Sequence, residues 1–272
     1  MKERADALLV YQGLARNRTK AKELIDGGQV FEAGRRVTKA GELIDQDKAL
    51  SVEGQVNPFV SRGGLKLAKA IELFNIDLRG KIVLDIGAST GGFTDCALFF
   101  GAAKVYAVDT GYDQLDCKLR NDPRVIVMEK TNARYLTPAS LGREVDFATV
   151  DVSFISLEKI LPVLPSLSRA DAQGVALIKP QFEAGPGQVN KKGVLRDART
   201  HHKALLNVLN AMASVGLRAY GLTWSPIKGS NGNIEYLVWF GMKDADPCGA
   251  GKAGSAEISP EAIIAEAFSS LR

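Results

Sequence analysis

Two apolar runs in this chain end on charged residues. Asp151 closes the run at 147–150 (Phe-Ala-Thr-Val), and Lys179 closes the run at 174–178 (Gly-Val-Ala-Leu-Ile). If both runs are strands of one parallel sheet, the two side chains meet at its carboxyl edge, where open α/β sheets bind ligands. A lysine in that place has two readings. It can be a structural ion-pair partner of Asp151. Or it can orient a reacting group and take its proton, because partial burial beside a second cation makes a lysine easier to deprotonate. Lys66 could be that second cation, and Glu235 in Gly232-Asn233-Ile234-Glu235-Tyr236 could hold the group in place.

A second constellation lies upstream. Residues 82–94 read as an apolar strand ending in Asp85, a turn through Gly87, Ala88, Ser89, Thr90 and Gly91, and a helix start at Gly92-Phe93-Thr94. Glycines let backbone approach a ligand, and a helix N-terminus offers unpaired N–H groups. The next strand, at 104–108, is followed by Asp109. Its distance from the loop is about that at which an acid binds ribose hydroxyls in doubly wound folds. A nucleoside-containing cofactor is expected. A dinucleotide fingerprint needs a second glycine where this chain has Ser89. A tight strand-to-helix turn with no ligand is the alternative.

The elements that must position these groups follow from patterning. The chain has 272 residues, 46% of them hydrophobic, enough for one full α/β domain and something smaller. Strands are expected near 82–86, 104–108, 125–128, 146–150 and 174–178, with helices between them, which means a doubly wound parallel sheet. A helix near 199–215 precedes two further strands at 218–224 and 234–240. Ser61 could cap a helix whose Leu67, Ile71 and Phe74 face the sheet, leaving Lys66 off that stripe. A linker is expected over 244–257. A last helix starts at Ser259-Pro260-Glu261 and carries Ile263, Ile264, Ala267, Phe268 and Leu271 on one face.

Net charge is +4, which permits a nucleic-acid partner without demanding one. Arg4, Arg16, Arg18, Lys20, Lys22, Arg35, Arg36 and Lys39 face only four acids in the same span, so the excess of 4 concentrates at the N-terminal end. Arg18 and Lys22 share a helix face, and such an array can neutralise RNA phosphates or simply be a solvated basic face. The span divides into an apolar stripe (Ala7, Leu8, Leu9, Tyr11, Leu14), a short helix over 19–26 stopped by Gly27-Gly28, and a tight hairpin over 29–37. The expected domains are 1–57, 58–243 and a tail at 244–272. Cys96, Cys117 and Cys248 lack metal-ligand spacing, and His201 and His202 are the only histidines. No metal site is therefore expected. Cys96 and Cys117 read as packing residues. Without an apolar leader or span, a soluble cytoplasmic protein is expected.

Several motifs carry a resemblance. Arg4, Asp6 and Leu8, then Leu14-Ala15, Arg18 and Ala21, then Ile25, Gly28 and Val30, then Gly34, Val37 and Lys39 resemble the S4 RNA-binding domain. Asn17 departs where serine is usual, and Ala33 departs where asparagine precedes the hairpin glycine. Lys66, Asp151, Lys179 and Glu235 stand in the order of the Lys-Asp-Lys-Glu tetrad of FtsJ-like RNA ribose 2′-O-methyltransferases. The blocks at 60–67, 87–95, 151–157 and 179–185 resemble the TlyA family, often labelled hemolysin A. Pro186 to Lys191 matches less well.

The resemblance implies a Rossmann-like, seven-stranded class I methyltransferase sheet with a small α+β S4-like domain. It implies S-adenosylmethionine as cofactor, held by Asp85, Gly87, Ala88, Ser89, Gly91, Gly92, Phe93, Thr94, Asp109, Asn132 and Asp151. It implies ribosomal RNA in ribosomal subunits as partner, with cytidine ribose in 16S or 23S RNA as target. Arg62 joins the basic residues on RNA. Lys179 would take or orient the hydroxyl proton, Asp151 would position it, Lys66 would ease its deprotonation, and Glu235 would hold the cluster. Two other classes were set against this reading. A non-catalytic ribosome-assembly factor would not need an intact tetrad. A membrane-active hemolysin would need a strongly basic amphipathic helix.

Overall fold

Contacts along the chain separate at Pro58, giving a unit of Met1–Pro58 and a unit of Phe59–Arg272. A computed structural model describes residues 1–15, 17–53, 57–185, 189–190, 193–242 and 258–271.

The first unit is built from β1 (Lys2–Arg4), α1 (Ala5–Tyr11), α2 (Arg18–Asp26), β2 (Val30–Glu32), β3 (Arg35–Arg36), β4 (Leu43–Asp45) and β5 (Leu50–Val52). β1 pairs with β4, and β2 lies between β3 and β5, all antiparallel. Leu8 and Leu9 of α1 pack with Leu24, Ile25, Val30, Val37 and Ile44. The expected apolar stripe is shorter than its pattern. α1 ends at Tyr11, so Tyr11 and Leu14, 83% and 37% exposed, stay outside the core. Asn17 caps α2 by accepting the Lys20 N–H at 2.8 Å, so its departure from serine keeps the cap.

The hairpin between β2 and β3 turns through Ala33 (φ +48°) and Gly34 (φ +82°). Two left-handed residues in a two-residue turn favour Asn-Gly. Ala33→Asn is therefore expected to stabilise this unit by about 0.5–1 kcal/mol, since asparagine tolerates that conformation better than alanine. Thermal melting that leaves the variant unchanged or lower would refute it.

The second unit contains α3 (Gly63–Phe74), β6 (Ile82–Ile86), α4 (Gly92–Phe99), β7 (Lys104–Val108), α5 (Cys117–Arg120), β8 (Val125–Met128), α6 (Pro138–Leu141) and β9 (Val145–Val150). It continues with α7 (Leu164–Leu167), β10 (Ser168–Ile178), α8 (Pro180–Glu183), α9 (Ala198–Ser214), β11 (Leu217–Trp224), β12 (Tyr236–Met242) and α10 (Pro260–Ser270). One seven-stranded sheet runs β11-β12-β10-β9-β6-β7-β8. β12 is antiparallel to both neighbours, and the pairs from β10 to β8 are parallel.

Alternate residues of the central strands feed two cores, as the period of two requires. Leu84, Ile86, Val150 and Ile178 pack with Leu205 and Val208 of α9 and Ile264 of α10. Val83, Val105, Phe147 and Leu177 pack with Leu67 and Ile71 of α3 and Cys96 of α4.

Four expectations need correction. The connections into β8, β9 and β10 contain only single helical turns, α5, α6 and α7. Between β9 and β10, Pro162 and Pro165 remove helix donors and break the segment up. Ser61 does not cap α3, whose N-cap position is Arg62. Its hydroxyl instead fills the space that a Cβ on Gly92 would need. Lys66 is buried along with Leu67, not set apart from the core face. Cys117 is exposed and is no packing residue. The linker at 244–257 and Cys248 lie outside the described residues.

Candidate active site

The carboxyl ends of β6, β7 and β9 come together around a cavity of about 540 Å³. Gly87 turns the chain out of β6 at φ +87°, and a side chain there would overlap the Asp151 carbonyl. The close approach is fixed from both sides. Asp151 N–H donates to Ile86 C=O at 2.9 Å, and Gly87 N–H donates to Val108 C=O at 2.8 Å. Ser89 takes the left-handed conformation (φ +47°) that a glycine would hold more cheaply. Its N–H donates to Asp109 Oδ2 at 2.8 Å, while Gly111 N–H donates to Asp109 Oδ1 at 2.7 Å. Both carboxylate oxygens are thus aimed by backbone, with lone pairs to spare for ligand hydroxyls. Asn132 Oδ1 accepts the Arg134 N–H at 3.1 Å.

Gly87, Ser89, Asp109, Asn132 and Asp151 line this cavity. Asp85, Ala88, Gly91, Gly92, Phe93 and Thr94 are not among its lining residues. A Cβ on Gly91 would strike Leu119, so packing alone already calls for a glycine there. Asp85 is buried behind the loop, accepting the hydroxyls of Thr94 at 2.6 Å and Thr149 at 2.8 Å. It ties the start of α4 to β9.

Burial raises the Asp85 carboxyl to about 6, against the opposing pull of those two hydroxyls. The protonated form is therefore the one that favours folding. Its contribution is complete below about pH 4 and is lost as pH rises through 6. In Asp85→Asn the slope of melting temperature between pH 4 and 7 should flatten by the equivalent of about 2–3 kcal/mol. Parallel curves for the two proteins would remove this account.

The four charged residues form two ion pairs. Lys179 Nζ meets Asp151 Oδ1 at 2.6 Å and donates a directed hydrogen bond to Ser153 Oγ at 2.8 Å. Lys66 Nζ, reaching from α3, meets Glu235 Oε2 at 2.6 Å. Both lysines are buried, and Glu235 is only 2% exposed. Because β12 runs against its neighbours, the residue just before it lies at the carboxyl edge of the parallel strands. Gly229 N–H donates to Asn233 C=O at 2.8 Å, folding the 225–235 loop back, and a side chain on Gly229 would collide with the Glu235 carboxylate. Arg62 donates to the Lys228 carbonyl at 3.0 Å and so ties down this loop.

Several N-terminal cations already hold partners. Arg4 and Arg18 bracket Asp6 at 3.0 and 2.9 Å, and the two guanidiniums pull its carboxyl down to about 2. Lys20 meets Glu23 at 3.3 Å, and Arg35 pairs with Glu32 and, at 2.6 Å, with Glu42. Arg36 lies over the Phe31 ring, and Lys22 and Lys39 are exposed. Arg16 lies outside the described residues. The charge array is thus partly satisfied internally, which sequence counting does not reveal.

Sequence reasoning missed Arg134, Ser153 and Phe154 on the cavity wall. Ser153 and Phe154 stand in the 151–157 motif with no spacing that marks them as lining, and Arg134 sits in a single 3-10 turn (Ala133–Tyr135) with no periodic signal. Among the described residues there is no cluster of metal-binding side chains, and no helix is long and apolar enough to cross a membrane.

Residues 59–242 match the FtsJ-like methyltransferase family, and residues 3–48 match the S4 domain. YqxC of Bacillus subtilis (strain 168), designated a candidate rRNA methyltransferase, is 52% identical over 87% of this chain and 85% of its own. The TlyA protein of Mycobacterium tuberculosis (strain CDC 1551 / Oshkosh), named a 16S/23S rRNA (cytidine-2′-O)-methyltransferase, is 46% identical over 87% of this chain and 88% of its own. A solved structure of a candidate hemolysin from Streptococcus thermophilus is 42% identical, with a TM-score of 0.76 over 99% of this chain and 96% of that one.

Proposed function

This chain belongs to the FtsJ-like methyltransferase family and carries an S4 domain, and from that premise we propose that it methylates the ribose 2′-hydroxyl of cytidine in ribosomal RNA, using S-adenosylmethionine. The observation that carries the reading is one residue with two duties. Asp151 lines the nucleoside-sized cavity and also holds Lys179. The group that handles the hydroxyl and the pocket that presents the methyl are therefore adjacent.

The residues present fit that cofactor. Asp109 offers two backbone-aimed oxygens to a ribose diol, and Gly87 keeps the loop close by having no side chain. When bound, S-adenosylmethionine supplies an electrophilic methyl on a positively charged sulfur that leaves as a neutral thioether. Everything else is asked of the protein. Asp151 and Ser153 fix the Lys179 nitrogen at the strand end. Lys179, when it carries a free lone pair, takes the proton of the 2′-hydroxyl as its oxygen bonds to the methyl carbon, and later passes that proton to water. In-line placement supplies much of the rate, and the base adds about 10²–10⁴-fold. The Lys66–Glu235 pair holds the floor beside it. We assign the S4 domain, through Lys22, Lys39 and the outer faces of Arg4 and Arg18, to RNA phosphates.

The test is transfer of labelled methyl to unmodified small and large ribosomal subunits. The expected result is label at one cytidine, resistant to alkaline cleavage 3′ of that ribose. No label on either subunit, with cofactor binding intact, would favour a non-catalytic RNA-binding factor instead.

A further inference from the structure

A second cleft of about 640 Å³ opens beside the cofactor cavity and shares Arg134, Phe154 and Ile155 with it. Gln181, Phe182 and Lys159 complete its wall. Phe154 is held at φ +63° with its ring 90% exposed, two costs a bulky aromatic does not normally bear together. Its ring lies 5.1 Å from that of Phe182, the two planes tilted by 47°, which gives the cleft an aromatic side. Gln181 is the stranger residue. Both Nε2 and Oε1 are shielded from water, and neither has a hydrogen-bond partner among the described residues. Such an amide is expensive, and native structures keep few of them without a reason.

The position of Gln181 suggests the reason. It lies two residues after Lys179, at the opening of α8. A nucleobase and its ribose are joined by one bond. A group that reads the base must therefore sit within one nucleoside of the group that works on the 2′-hydroxyl. A carboxamide presents one donor and one acceptor side by side, complementing a base edge that has one of each. Cytosine offers its N4 amine and the N3 lone pair; uracil presents an acceptor at O4 and a donor at N3, which the same amide would meet only in the flipped orientation.

We propose that Gln181 reads the Watson–Crick edge of the target cytosine, its carbonyl accepting from N4 and its amide donating to N3. The base then lies along the Phe154–Phe182 side of the cleft, and the buried amide gains the partners it lacks. Because both atoms are covered, a shift of the cleft lining accompanies base entry. The inference rests on the cytidine methylation proposed above and names the residue that chooses the base.

The test compares wild type, Gln181→Ala and the near-isosteric Gln181→Glu on subunits carrying cytosine or uracil at the methylated position. Gln181→Ala should lower kcat/KM on the cytosine subunit roughly ten- to a hundredfold, the worth of one bidentate base contact. Its preference for cytosine over uracil should fall to within twofold. Affinity for S-adenosylmethionine, measured by calorimetry, should not change. The melting temperature should hold or rise, because an unsatisfied amide has been removed. Gln181→Glu, which keeps the shape but loses the donor, should be impaired on cytosine as well. If wild type labels cytosine but the alanine variant keeps its kcat/KM and base preference within twofold, the inference is wrong. A lower melting temperature with unchanged base preference would make Gln181 merely structural. If wild type labels neither subunit, the cytidine reading itself fails, and this inference with it.

Discussion

Lys179→Ala should reduce methyl transfer at least 10³-fold while the melting temperature stays within a few degrees of wild type. The rate estimate combines the loss of base help with the loss of a positioned contact to the hydroxyl. Stability should fall only modestly, because the Asp151 side chain stays 19% exposed even though Oδ1, the oxygen that faces Lys179, is buried. Lys179→Arg separates the two candidate roles. It keeps a cation near Asp151 but cannot give up a proton at accessible pH. If Lys179 only neutralises Asp151, arginine should restore most of the turnover. If it handles the proton, arginine should be as inactive as alanine. Single-turnover methylation of ribosomal subunits with saturating cofactor reads the difference. Turnover by Lys179→Ala within a few-fold of wild type would end the assignment.

Glu235→Ala should act first on stability. It strips the partner from the buried Lys66 ammonium, and breaking a buried ion pair from one side typically costs about 3–5 kcal/mol. In a unit of this size that corresponds to a fall in melting temperature of roughly 6–20 °C. The double variant Lys66→Met/Glu235→Leu removes both charges and fills similar volume. It should recover most of the lost stability, since apolar replacements of a buried pair are often neutral or better. It should not recover methyl transfer. Thermal melting and a methylation assay on the same three proteins therefore separate packing from chemistry. Full activity in the double variant would show that the pair is structural only.

How much of this could be read without coordinates depended on the kind of signal. Most strands of the sheet were legible as apolar runs, but β10 starts at Ser168, six polar-rich residues before the expected 174, and β12 lies two residues later than expected; Asp109, Asp151 and Lys179 stood out because a charge ended each run. Asp85 had the same signature and a different fate. A ligand-facing acid and a buried acid tying two elements together look alike in sequence, because both follow an apolar strand. Only the hydroxyls of Thr94 and Thr149, one of them 64 residues away, tell them apart. Gly91 and Gly92 are ambiguous in the same way, since a glycine needed to pass Leu119 or Ser61 reads like one needed to pass a ligand. Lys66 was expected off the core face because α3 was judged by its apolar stripe alone. Its partner, Glu235, comes from the far end of the chain and buries it. Gln181 stands inside the 179–185 block, but nothing in that block singles it out, for an unsatisfied amide is a property of its surroundings.

The place of β12 has a consequence for how the protein comes into being. The last strand in sequence among the described residues does not sit at the rim of the sheet but between β10 and β11, and it brings Glu235 to Lys66 across 169 positions of sequence. Until that strand inserts, β10 and β11 have an unfilled gap between them and Lys66 has no counter-charge. A nascent chain released or stalled before Met242 would have its glycine loop and Lys179 but an open edge where the ion pair belongs.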